Sequence, residues 1–217
     1  MLTLRWKLLP LLLLLLPYGL LRLGSRAEAS LPLEKGIQQN PDESIVPTPV
    51  LLSELLAAPL DYLGQRVSFT VQFDARIDRW NPLMTRFSDT QWGSFCAWSD
   101  DEFTWHRAVH ENTFDKLYFP LGGLSDRLIA RARRYERFQV VATVRELFLA
   151  EPWIEVERLE PLYELVDEGS ILHVARGLTF ALDGKLRLAK EQFERARSAP
   201  LPELARIEVE RLIAQCP

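Results

Sequence analysis

Over residues 67–73 the chain alternates without a break: Val67, Phe69, Val71 and Phe73 are apolar, and Ser68, Thr70 and Gln72 are polar. A period of two puts one set on a buried face and the other toward water, which predicts a strand. The alternation runs on through Ala75 and Ile77 toward Trp80, where Asn81-Pro82 supplies a turn. Ahead of it, Leu51–Leu56 reads as a short helix ended by Pro59. Residues 87–98, with Gly93 as a bulge or bend, give a second strand, and residues 116–119 a short third one. Between those two, residues 100–113 are acidic and aromatic and predict an exposed excursion with one helical turn.

After the break at Pro120-Leu121-Gly122-Gly123, Ser125 is placed to cap a helix running to Tyr135, with Leu128, Ile129 and Ala132 on its apolar side. Period-two patterning returns at 138–148, where Phe138, Val140, Ala142 and Val144 share a face. It returns again at 153–159 after a turn at Glu151-Pro152, with Ile154 and Val156 inward. The order is three strands, a helix and two strands. From Ser170 onward the period becomes helical, in two helices broken by Gly184 and Pro200, and Leu204, Ile207, Val209 and Leu212 fit a third, capping helix.

The strand–helix order, with LGQRVSFTVQF opening the region and EPWIEVERLEPL closing it, resembles the OB-fold domains of exported bacterial proteins of uncharacterised role. The resemblance covers about Leu51–Leu162. The next segment resembles a single tetratricopeptide repeat: Gly177, Phe180, Gly184, Ala189, Phe193 and Ala196 fall at its spacings, most specifically in GKLRLAKEQFERA. His173 and Arg176 depart from that pattern, and Pro200 stands one residue early. Because one repeat cannot bury its own face, it is expected to lean on the barrel or on a partner. The fold class expected is therefore α+β: a five-stranded OB-like barrel over 50–163, then a tetratricopeptide-like helical hairpin with a capping helix over 164–217.

The N-terminus changes where such a protein would work. Arg5 and Lys7 precede an apolar run from Leu8 to Leu21 with six consecutive leucines, and Ala27-Glu28-Ala29 forms an A-x-A site. Those three parts predict a signal peptide over 1–29, cleaved to leave Ser30 first, and a periplasmic or secreted protein. At about 14 residues, interrupted by Pro10 and Pro17, the run is short of the roughly 20 that span a bilayer. Left uncleaved, it would be the chain's membrane contact. Pro32, Pro41, Pro47 and Pro49 among polar residues predict an extended linker over 30–49.

Removing the signal takes away four of the 26 basic residues and one of the 30 acidic ones, which leaves an acidic chain. Such a chain gains little from counterion release, so nucleic acid is not an expected partner. Cys96 and Cys216 could pair in an oxidising compartment, although Cys96 buried in a strand and Cys216 loose at the end is the simpler expectation. With no C-x-x-C pair, phosphate loop or G-x-S-x-G elbow, catalysis has no motif behind it, and no cofactor is expected. The best enzymatic candidate is a metal-dependent hydrolase using His106 and His110, one helical turn apart, with Glu102 or Glu111 as third ligand; Arg107 stands where a zincin has its glutamate.

Aromatic residues interleaved with arginine give the favoured site: Arg76, Arg79, Trp80, Arg86, Trp92 and Trp98, in and around the connection between the first two strands. In an OB-fold that loop and the face of strands two and three bind ligands, and rings beside guanidinium groups suit a planar or anionic one. The function expected is an exported, non-enzymatic binding or scaffold protein whose barrel and hairpin hold a ligand or protein partner.

Overall fold

The computed structural model describes residues 46–80 and 85–216, all within one compact unit, Asp42–Pro217. The expected signal peptide, most of the linker and the Asn81-Pro82 turn lie outside the described residues. Within them, β1 (Thr48–Pro49) is followed by α1 (Leu52–Ala57), β2 (Arg66–Ile77), β3 (Trp92–Ser99), α2 (Arg107–His110), β4 (Phe114–Pro120), α3 (Leu124–Ile129), β5 (Arg137–Phe148) and β6 (Glu151–Leu162). Three helices complete the chain: α4 (Glu168–Leu182), α5 (Leu186–Arg197) and α6 (Glu203–Ala214).

Strands β2, β3, β4, β6 and β5 pair in that order, and β5 pairs back with β2, so five strands close into a barrel. All neighbours are antiparallel except β4 and β6, where Leu117 faces Ile154 in parallel register. A helix, α3, sits between the third and fourth barrel strands. This is an OB-like barrel in an α+β fold, with closure leaving no free edge among its five strands. The alternation seen in the sequence fills it: Val67, Phe69, Val71 and Phe73 from β2 meet Phe138, Val140, Ala142 and Val144 from β5 and Ile154 and Val156 from β6 in one buried cluster. Val71 stands opposite Phe138. Thr48 and Pro49, at the end of the expected linker, already pair in parallel with Val67 and Ser68.

Several local expectations are corrected. The irregularities in β2–β3 pairing fall at Asp74 on β2, and those in β3–β4 at Cys96, not at Gly93. Gly93 answers a different need: a Cβ there would lie 2.5 Å from the Phe119 ring of its cross-strand partner. Helix α3 has only six residues and starts from Gly123 with no side-chain cap, so Ser125 lies inside it, and Tyr135 follows in the left-handed region at φ 72°. Asp126 instead fastens the turn ahead of the helix, its carboxylate accepting from the Gly122 N–H at 2.8 Å. The turn between β5 and β6 is Leu149-Ala150, both at positive φ, and Glu151 and Pro152 already belong to β6. A two-residue hairpin with positive φ at both centres twists with the strands it joins, and here it is built without glycine or asparagine.

The connection after β3 is not an exposed excursion. Thr104 and Trp105 are buried, and Trp105 joins Trp98 and Tyr135 in a second cluster with Val166, Ile171, Val174, Phe193, Val209 and Leu212. The helices therefore cover one side of the barrel through aromatic residues that the barrel supplies. Cys216 is 3% exposed in the same cluster, not loose, and both cysteines are free thiols. Asp167 caps α4 by accepting from the Ser170 N–H at 3.0 Å. Gly184, at φ 73°, turns the chain into α5, whose Phe193 ring fills the space over Gly177. Among the described residues no helix is long and apolar enough to cross a membrane.

Candidate functional site

Inward side chains of β4 and β6, Leu117, Phe119 and Ile154, fill the barrel, so period two sends Tyr118 and Trp153 to its outer surface. The parallel pairing of these strands brings the two rings together: they stack with centroids 5.3 Å apart and planes 1° from parallel. Phe87, from the β2–β3 connection, stacks on the other side of Tyr118 at 4.4 Å, and Trp80 meets Tyr118 edge-on at 5.3 Å. The connection is fastened by the Trp80 indole N–H donating to the Phe87 carbonyl at 2.7 Å and by the Thr85 hydroxyl donating to Glu146 at 2.9 Å. Trp92 backs Phe87 edge-on at 4.9 Å.

Trp80, Tyr118 and Trp153 floor an open groove of about 360 Å³, lined also by Arg79, Lys116, Asp115, Glu151, Phe148 and Leu149. Its two cations and two carboxylates are unevenly paired. The Lys116 ammonium lies 2.6 Å from Asp115 and 2.9 Å from Glu151 and 5.9 Å from the Trp153 ring centroid. Burial disfavours its charge, but the two carboxylates more than offset this and hold its pKa above the ordinary lysine value. Burial, reinforced by Asp115 and Glu146, pushes the Tyr118 phenol well above its usual range, so that ring stays neutral. Arg79 is exposed and makes no ion pair among the described residues.

The structure divides the six residues singled out by sequence. Arg79 and Trp80 line the groove, and Trp92 supports it from behind Phe87. Arg76 is committed to Asp126 at 2.8 Å, and Arg86 lies 3.9 Å from Glu146. Trp98 is elsewhere: 1% exposed in the second cluster, it stacks on His110 and Tyr135 and lies under Arg134. Tyr118, Lys116, Phe148, Leu149 and Trp153 were missed. Their signal was present, as aromatic, charged or apolar residues at outward positions of β4 and at the β5–β6 hairpin, but only strand pairing joins them.

His106 precedes the four-residue α2 and His110 ends it; the His110 ring packs on Trp98, and Glu111 is held by Arg107 at 2.7 Å. Burial, with Asp101 adding to it, raises the Glu102 carboxyl above its ordinary value. Among the described residues no three metal-ligating side chains are grouped to hold an ion. Burial, followed by the nearby Asp74 carboxylate, raises the Cys96 thiol pKa, which keeps it protonated.

The fold and groove thus define an OB-like barrel with an outer aromatic groove and a helical extension. No protein-family model matches the chain, and no curated protein is similar to it. Among solved structures it is similar to a crystal structure of an aspartyl-tRNA synthetase-like protein from Leishmania major Friedlin, at 11% identity and a TM-score of 0.36, covering 75% of this chain and 34% of that one. The chain spans about a third of that protein's length.

Proposed function

We propose that this chain is an exported, non-enzymatic binding module, and that the groove under the β2–β3 connection receives a protein partner. The observation that carries the reading is the groove itself: a floor of stacked rings with the exposed Arg79, which makes no direct ion pair among the described residues, on its lining. Such a site suits an aromatic or aliphatic side chain next to a carboxylate. Leu149, 80% exposed at the hairpin tip, and Phe148 extend the apolar rim toward the partner. Export rests on the charged, apolar and A-x-A parts of residues 1–29. The tetratricopeptide-like reading of α4 and α5 is supported by Phe193 packed over Gly177 and by the buried Ala189 and Ala196; the hairpin would extend the binding surface.

Proximity labelling with the full-length protein in its native host tests this, using the surface variants Arg79→Glu and Leu149→Asp. A partner labelled by the parent protein and lost, by roughly tenfold or more, in both variants is the expected result. Labelling that is the same in all three proteins would remove the groove from the function. Stoichiometric transition metal in the purified protein, lost in a His106→Ala/His110→Ala double variant, would replace the reading with a hydrolase.

A further inference from the structure

Four buried side-chain polar atoms have no hydrogen-bond partner among the described residues, and three of them, Gln72 Oε1, Thr104 Oγ1 and Trp105 Nε1, belong to residues lining one cleft of about 140 Å³. The residues are 4%, 2% and 5% exposed. Polar atoms at that depth ordinarily have a partner, and three of them belong to residues of one lining. The cleft shares no lining residue with the aromatic groove. It lies where the barrel, through Gln72 on β2 and Arg137 on β5, meets the β3–β4 connection and the start of α6.

The donors and acceptors are sorted by their surroundings. The Asp100 carboxylate is gripped by Arg137 at 2.5 and 2.6 Å and also faces the Gln72 Nε2 at 3.4 Å. A carboxylate accepts only, so the Gln72 amide must turn its nitrogen there and leave its oxygen as an acceptor without a donor. On the other side, the Trp105 indole N–H can only donate, and the Thr104 hydroxyl can do either. Helix α6 begins after Pro202 with no side-chain cap, so its first N–H groups have no intrahelical acceptor. Charge narrows the ligand as well: Asp100 and Arg137 offset each other, Glu203 is paired with Arg206, and Glu164 on the lining disfavours an anion.

We propose that this cleft binds a neutral amide, whose N–H donates to Gln72 Oε1 and whose carbonyl accepts from Trp105 Nε1–H and the Thr104 hydroxyl. The space equals about four to five waters at roughly 30 Å³ each, enough for one amide group and little more. The amide belongs to a small free carboxamide or to an asparagine, glutamine or backbone group of a peptide.

The experiment follows the indole N–H signals of the full-length protein by ¹⁵N NMR, assigning Trp105 through Trp105→Phe. Acetamide, acetate, methylammonium and the capped peptide N-acetyl-Gly-Asn-Gly-amide are titrated in turn. The Trp105 signal is expected to shift saturably with acetamide, with a millimolar dissociation constant suited to so small a ligand, and not with acetate or methylammonium. Gln72→Met is expected to weaken acetamide at least tenfold while the Trp153 signal stays in place, which shows the barrel still folded. Tighter binding of the peptide than of acetamide assigns the site to a protein segment; equal or weaker binding assigns it to a free carboxamide. A Trp105 signal unmoved by either amide, or one that saturates with acetate instead, overturns the proposal.

Discussion

Phe193 of α5 lies against Gly177 of α4 so closely that a methyl group at Gly177 would stand 2.3 Å from its ring. The ring is 1% exposed and has nowhere to move. Gly177→Ala would ordinarily gain about 1 kcal/mol of helix propensity. Here overpacking outweighs it, and a net loss of about 1–3 kcal/mol is expected in urea unfolding. Ala189→Leu, at another fully buried position of the same cluster, should cost a similar amount, and Lys190→Ala close to nothing.

Val71 and Thr70 are neighbours on opposite faces of β2. Val71 is fully buried opposite Phe138, whereas Thr70 is part-exposed and donates to Gln139 at 3.0 Å. Val71→Asp buries an unpaired carboxylate and should cost several kcal/mol. Thr70→Asp should cost at most about 1 kcal/mol. Equal losses of thermal stability would contradict the register of the barrel.

Acid should loosen the helices through Asp167. Burial pushes its carboxyl up, but the hydroxyl and N–H of Ser170 outweigh that and hold it below the ordinary 3.8. A lowered folded pKa contributes stability that is present above the unfolded value and is lost as pH falls through the folded one. Asp167→Ala should therefore cost about 1 kcal/mol near neutral pH, and the gap from the parent protein should close as pH falls below 3.8 and through the lowered folded value.

Cutting the chain separates two interdependent parts. Because Trp98, Trp105 and Tyr135 pack beneath the helices, a chain ending at Glu164 should keep its strands, as its own core is a distinct cluster, yet expose those rings. Dye binding to apolar surface should rise sharply in that protein. The isolated segment 167–217 should be largely unfolded by circular dichroism, since most of its stability comes from tertiary packing. Cooperative folding of that segment alone would make it an independent unit.

The sequence by itself determined the barrel's inner face. Strict alternation at 67–73 and 138–144, and Ile154 and Val156 further on, named core residues before any pairing was known, because a strand has only two faces and one was apolar. The spacing of Gly177, Ala189 and Phe193 likewise exposed a tight helix contact, since only small residues allow one. Local pattern was weaker at boundaries. Ser125 looked like a cap, but the helix starts from Gly123 with no side-chain cap, and Asp126 holds the Gly122 turn before it. Tertiary structure alone decided the sites. Tyr118 and Trp153 are 35 positions apart and read singly as surface aromatics; the parallel pairing of β4 and β6 made them one stacked floor. Trp98 carried the same local signal as Trp80 and went to the other cluster, because which outer face of a barrel is covered depends on where the helices dock. Gln72, Thr104 and Trp105 gave no signal at all: an unmet hydrogen bond is a property of the space around an atom, and that space is made by segments more than 100 residues apart.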